Sequence, residues 1–287
     1  HVRFSISRNH RPGAIQVSNF KYGCETFSWV MSGDKYVGDC GHICEIVKRA
    51  GLSGIETNGG MMGRYFEDPA LMADLLEVHD LQLASLSFGG GFRGSTLSER
   101  EREQADKVFD YLKSFPQPRI TLAHGSRDRS DLGERQRNAM ACINEVARHA
   151  ADRGISCAFH PTSGGYSIFR TADDYKLMLD SLDTSVVGYC PDSGHIVNGE
   201  MDVYEIFATY ASVIGHVHLK DINEDRSWAP MGEGIIDFPR LLKTLHDAGY
   251  DGWIDIEEES ADARVDPDAA TLKNGRYLAE TLLPLGF

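Results

Sequence analysis

Eight side chains able to ligate a metal or carry a proton stand at or just past the ends of short β-branched runs: Glu56, His124, His160, Asp192, His195, His216, His218 and Glu257. A single polar residue in such a place is ordinary, because a strand has to emerge into water. Eight in succession imply a shared site. Carboxylate oxygens and imidazole nitrogens together suit a hard or borderline divalent ion, Mn²⁺, Mg²⁺, Co²⁺ or Zn²⁺. Three or four such ligands would leave positions open for substrate oxygens. Side chains alternate along a strand, so His216, His218 and Lys220 share one face and Val217, Leu219 and Asp221 the other. His218, nearer the end, is the better ligand, and His216 is expected to be buried and hydrogen-bonded. Lys220 has two readings, as a partner for an enolate or alkoxide oxygen or as a salt-bridge partner of Asp221 or a neighbouring acid. In the run Asp255 to Glu259, Asp255, Glu257 and Glu259 share a face, while Glu258 is expected to be solvated or paired with a basic loop residue. Acids this close repel one another unless a cation compensates them, which is a separate reason to expect a metal.

The elements that must position these groups follow a regular rhythm. Strand-like runs at Lys21–Ser28, Leu52–Glu56, Leu81–Ser87, Arg119–His124, Ile155–His160, Val186–Asp192, Val213–Leu219 and Gly252–Glu257 alternate with amphipathic stretches at 40–50, 69–79, 98–115, 133–153, 171–182, 201–211, 237–248 and 267–283. Helix starts are marked by Ser98, Thr171 and Asp237-Phe-Pro, and ends by Ala50-Gly51, Arg153-Gly154 and Ala248-Gly249. Alternating strands and helices call for a parallel sheet, and eight units without a long linker call for closure into a single (βα)8 barrel, an α/β fold. The competing open doubly wound sheet would want a G-x-G-x-x-G turn after an early strand, and none is there. Gly89-Gly90-Gly91 reads as a flexible loop near the mouth. Residues 1–19 lack periodicity and read as an irregular arm, leaving 20–287 as the barrel, and His1 in place of Met points to a processed or tagged start. In such a barrel the strand ends face one mouth, so Asp192, His218 and Glu257 are expected to converge.

With 29 basic and 43 acidic residues the formal charge is −14, which repels nucleic acid and anionic membrane surfaces. No apolar run approaches the roughly 18 residues of a membrane span. The expected setting is the cytoplasm, with the cysteines reduced and buried. Cys40, His42 and Cys44 lack a second Cys/His pair at zinc-site spacing, so a metal knuckle is set aside.

The stretches Gly51-Leu-Ser-Gly-Ile-Glu56, Pro191-Asp-Ser-Gly-His195, His216-Val-His-Leu-Lys-Asp221, Gly232-Glu-Gly-Ile-Ile-Asp237 and Gly249-Tyr-Asp-Gly-Trp-Ile-Asp-Ile-Glu257 resemble, in order and spacing, the xylose-isomerase-like barrel superfamily. It includes ketose 3-epimerases, inosose dehydratases, sugar-phosphate isomerases and endonuclease IV. The resemblance spans roughly residues 20–285 and implies a metal held by Asp192, His218 and Glu257, with His195 touching a substrate oxygen. Where the epimerases carry a fourth ligand, a glutamate ending strand five, this chain has His160-Pro161, which serves either as that ligand or as a general base. A His-Pro here is closer to the inosose-dehydratase-like and related lyase branches. Aligning on Gly232-Glu-Gly234 puts Arg226 and Trp228 where the nuclease has an Asp-x-His zinc pair, which sets the nuclease aside. Trp228 is then expected to line the mouth, as are Phe27, Trp29 and Phe88, with Glu56 and His124 hydrogen-bonding a hydroxyl or orienting a ligand.

These readings combine into a divalent-metal-dependent sugar isomerase or epimerase, with Mn²⁺ the first choice of ion. It would act on a sugar, polyol or keto-sugar by proton abstraction next to a metal-bound carbonyl, with His160 or Glu257 as the base. His160, Asp192, His218 and Glu257 would be the ligands, and His195, Lys220, Glu56, His124, Trp228 and Arg226 would bind substrate. The alternative is a metal-dependent lyase, an inosose-type dehydratase or a C-glycoside deglycosidase acting on a 3-keto sugar. A non-catalytic binding or scaffolding barrel is the rival from another class. The expected partners are a small carbohydrate and further copies of the chain in a homo-oligomer, where a second subunit would help to complete the pocket.

Overall fold

The computed structural model describes residues 20–125 and 128–286, so the arm expected at 1–19 lies outside the described residues. Eight parallel strands form the sheet: β1 (Lys21–Glu25), β2 (Gly54–Asn58), β3 (Gln82–Gly90), β4 (Arg119–His124), β5 (Ser156–His160), β6 (Val187–Tyr189), β7 (Val217–Leu219) and β8 (Trp253–Ile256). Their order is β6-β5-β4-β3-β2-β1-β8-β7. The ring closes between β6 and β7 through parallel bridges at Tyr189–Ile214 and Asp192–His218. The Gly215 and His218 amides donate across this seam to Tyr189 and Pro191, each at 2.9 Å.

The strands alternate as a parallel sheet buried on both faces must. Val217, Leu219, Ile254 and Ile256 point outward beneath the helices and are buried, while His216, His218, Asp255 and Glu257 point into the ring. The marked helix starts are realised. Ser98 and Glu101 form a reciprocal capping box at the head of the helix Glu99–Leu112, and Thr171 with Asp174 does the same for Ala172–Ser181. Gly51, Gly154 and Gly249 take positive φ of 79°, 74° and 76° just past helix ends.

Two expectations are corrected. Gly89 and Gly90 are not a loop but the end of β3, paired with Ala123 and His124 of β4. Glycine suits this strand because a Cβ on Gly90 would lie 2.4 Å from the Phe92 ring. Glu258 is not solvated: it faces outward on its strand, but outward here means under the helix layer. It is 3% exposed, and its Oε1 accepts from the Ser260 hydroxyl at 2.6 Å.

Beyond β7 the chain forms a small antiparallel ribbon, Asp221–Ile222 with Trp228–Ala229, that the sequence rhythm does not announce. The Asp221 carboxylate knots the following loop by accepting from the amides of Gly232, Gly234 and Ile236. This is the outward-facing role its parity requires, and it places Arg226 and Trp228 over the mouth.

Candidate active site

The Asp-Ser-Gly-His stretch is a helix start as well as a source of ligands. Asp192 caps the short helix Ser193–Asn198, with Oδ1 accepting from the His195 amide at 2.8 Å. Its Oδ2 remains free to face inward, 3.3 Å from Lys220 Nζ and 3.5 Å from His160 Nε2. Ser193 Oγ donates to the Lys220 carbonyl at 2.7 Å and accepts from the Lys220 amide, fastening the ends of β6 and β7 to each other. Gly194 leaves room for the lysine stem, since a Cβ there would lie 2.9 Å from Lys220 Cγ.

His160, Asp192, His218 and Glu257 are all buried, and one ligand atom from each lies within 4.8 Å of the other three. Their sequence separation makes this convergence a product of the closed ring. His218 is held from both sides, with Nδ1 2.9 Å from Glu257 Oε2 and Nε2 3.2 Å from Glu56 Oε2. Beneath it, fully buried His216 points Nε2 at Asp255 (2.9 Å) and Glu56 (3.0 Å), and Thr121 donates to Glu56 at 2.8 Å. His216 is therefore the structural histidine of the pair, and Glu56 orients both imidazoles from below.

Lys220 has no ion pair with Asp221; it turns inward, 1% exposed. Its Nζ lies 2.7 Å from Glu257 Oε1, 2.5 Å from Glu259 Oε1 and 3.2 Å from His195 Nε2. Burial alone would raise the Asp192 and Glu257 carboxyls, but the lysine and the neighbouring histidines outweigh it and hold both well below the ordinary carboxylate range. His195 is pushed down to about 3 by burial and by the Lys220 ammonium, so it is neutral. Its Nδ1 accepts from the Ser163 amide at 3.3 Å and lies 2.8 Å from Ser163 Oγ, which accepts from Asn198 Nδ2 at 2.8 Å.

The donor set suits a divalent ion. Ionised Asp192 and Glu257 and two imidazoles face one point, further carboxylates crowd around it, and Lys220 supplies the lone buried ammonium among the described residues.

Above the cluster a cavity of about 480 Å³ is lined by Glu56, His160, His195, His218, Glu257, Arg226 and Trp228 among the expected residues. Lys220 and Asp192 lie just beneath it. The Trp228 ring meets His195 edge-on at 5.3 Å, with Lys220 Nζ 5.0 Å from its centre. Phe27 also lines the cavity. Trp29 does not: it is fully buried, with Nε1 donating to Asp268 at 2.8 Å, and Phe88 likewise belongs to the core. His124 is a further correction. Thr121 and Ala123 face the cavity, so parity turns His124 outward, where its Nε2 lies 3.0 Å from the Gly91 carbonyl in a separate cleft beside the helix Glu99–Leu112. The residue missed is Glu25, which ends β1 and lines the cavity. Reading that strand through to Ser28 had placed it in mid-strand. The rule that picked out the other strand ends would have found it.

A curated inosose dehydratase from Clostridium perfringens is 23% identical over 299 residues, covering 92% of this chain and 98% of that one. Among solved structures, IolI protein with a binding zinc atom superposes with a TM-score of 0.72 at 13% identity, covering 93% of this chain and 99% of that one. D-psicose 3-epimerase from Clostridium cellulolyticum H10 gives a TM-score of 0.70 at 16% identity, with 92% and 99% covered. The family profile described as xylose isomerase-like TIM barrel matches residues 44–281. A match over that length, on a ring whose ligating groups gather at the carboxyl ends of its strands, means that the chain belongs to the xylose isomerase-like TIM barrel family.

Proposed function

We propose that this protein is a divalent-metal-dependent enzyme that removes the proton next to the carbonyl of a keto-polyol or keto-sugar and expels a β-hydroxyl as water. The observation that carries the reading is the convergence of His160, Asp192, His218 and Glu257 on one point at the floor of a polar cavity. Asp192, His218 and Glu257 would hold the ion, Mn²⁺ first among the candidates. When bound, it would supply Lewis acidity to a substrate carbonyl.

The chain's own residues supply the rest. Both oxygens of Glu257 are engaged, one by Lys220 and one by His218, whereas His160 Nε2 makes only a 3.5 Å contact with Asp192. His160 is accordingly the freer base and takes the proton. The Lys220 ammonium, fixed by Glu259 and His195, stands where it can stabilise an oxyanion. Trp228 offers a face to an apolar ring surface, and Arg226 stands at the rim.

Elimination is preferred to epimerisation because the pair of proton-carrying carboxylates that the resembling epimerases use on one carbon is not complete here. The carboxylate that resembling epimerases place on strand five is replaced here by His160. The resemblance to inosose dehydratases over nearly the whole chain supports the same choice. Isomerisation or epimerisation is the second reading, supported by the shared fold with D-psicose 3-epimerase. The test is proton NMR in D₂O with Mn²⁺-loaded protein, offered an inosose and, separately, D-psicose. Exchange at the α-carbon of the inosose followed by water loss is expected. Exchange with the skeleton retained would favour the second reading, and neither event with either substrate would defeat both.

A further inference from the structure

The ring places one more acid where this reaction has use for it. In the closed order of strands, β1 and β5 are four strands apart in either direction, so Glu25 at the end of β1 faces His160 at the end of β5 across the mouth. Glu25 is 6% exposed and lines the cavity. Its Oε2 accepts from the Phe27 amide at 2.6 Å, which fixes the side chain at the wall. It forms no ion pair with a lysine, arginine or histidine among the described residues. Its neighbours in the ring are carboxylates, Glu56 opposite it on β2 and Glu257 just beyond β8.

We propose that Glu25 is a further catalytic residue, the group that gives a proton to the departing hydroxyl. This rests on the elimination reading above. Buried on the cavity wall, with no cationic partner among the described residues and with carboxylates on either side, Glu25 sits in surroundings that favour its protonated form. The alternatives nearby are committed: Glu56 to Thr121 and two histidines, Glu257 to Lys220 and His218.

The step balances as follows. His160 takes the α-proton and the C–H electron pair passes into an enolate, which either takes a proton back at carbon or pushes that pair on to become the new carbon–carbon π bond. The C–O bond breaks with its electrons on oxygen, and that oxygen takes the Glu25 proton and leaves as water. Glu25 is then reprotonated, and His160 deprotonated, by solvent. Base and acid on opposite walls imply that proton and hydroxyl leave from opposite faces of the substrate.

The two half-events can be read separately. Mn²⁺-loaded wild type and Glu25→Gln would be offered an inosose in D₂O, with α-proton exchange and appearance of the dehydrated product followed by NMR. Gln keeps the size and can still accept from the Phe27 amide, so melting close to wild type is expected. Exchange should persist within a few-fold in Glu25→Gln while water loss falls on the order of 10²–10⁴-fold, and Glu25→Asp should recover part of it. Unchanged water loss, or equal loss of exchange and elimination, would overturn the role of Glu25. Failure of the wild type to eliminate water would instead overturn the elimination reading, and the proposal with it. If Glu25→Gln does not fold, Glu25→Asp decides: exchange faster than elimination supports the role, and equal slowing of both overturns it.

Discussion

Lys220 Nζ stands 2.7 Å from Glu257 Oε1, and both side chains are buried at the junction of β7 and β8. Removing two charges from water costs several kcal/mol per ion, which a single contact repays poorly. Here the ammonium also serves Glu259 and Asp192. Lys220 is thus the built-in counter-charge that lets the acids converge, and a divalent ion would share that task.

Lys220→Met should therefore destabilise the metal-free protein by about 3–5 kcal/mol, the usual result of leaving buried acids without their partner. Mn²⁺ should restore more stability to this variant than it adds to wild type. Thermal melts with and without the ion would check this. Equal gains would mean that the ion and the lysine do not answer the same charges.

His160→Gln should keep the metal and lose activity, by about 10²–10⁴-fold for removal of a general base. Metal content by elemental analysis alongside turnover decides it. Loss of the metal would make His160 the fourth ligand instead.

Gly194→Ala should lower kcat by about 10–100-fold, because a displaced Lys220 would no longer meet the reacting oxygen. The new Cβ would lie 2.9 Å from Lys220 Cγ, so the lysine stem must shift. Undiminished kcat would show that the position of Lys220 does not matter.

Acid should weaken the fold through histidines buried in the neutral form. His124 is pushed down to about 4, mainly by burial, and His195 to about 3. Each lies below its unfolded value of about 6.5, so between the two values the unfolded chain binds more protons. Their contribution is complete above pH 6.5 and is lost as the pH falls through that window, by at most about 1.4 kcal/mol per pH unit per group. His124→Asn should remove its share of the slope down to pH 4 and, lying outside the cavity, should leave turnover unchanged. Urea titrations across pH 4–7 would show it, and an unaltered slope would contradict it.

The barrel and the convergence of the ligating residues were legible because one rule governs both. Period-two alternation and a common mouth place Asp192, His218 and Glu257 together wherever the strands are roughly located. The misses came from applying that rule loosely. His124 ends its strand as His160 does, but its parity is opposite, and an end position alone does not choose the inner face. Glu25 was hidden by a strand read three residues too long. Glu258 faces outward, which suggests solvent or a basic loop partner, but helices cover the outside of a parallel barrel. The anchoring of Lys220 by Glu259 and His195 depends on side-chain reach across three strand ends, which no local pattern encodes.

The central claim is that Asp192, His218 and Glu257 hold one divalent ion. Calorimetric titration of Mn²⁺, Co²⁺ and Zn²⁺ into chelator-stripped protein tests it most directly, with Asp192→Asn and His218→Gln as comparisons. One ion per chain in wild type, with affinity lost in both variants, is the predicted result. No binding in wild type, or equal binding in all three proteins, would contradict the account.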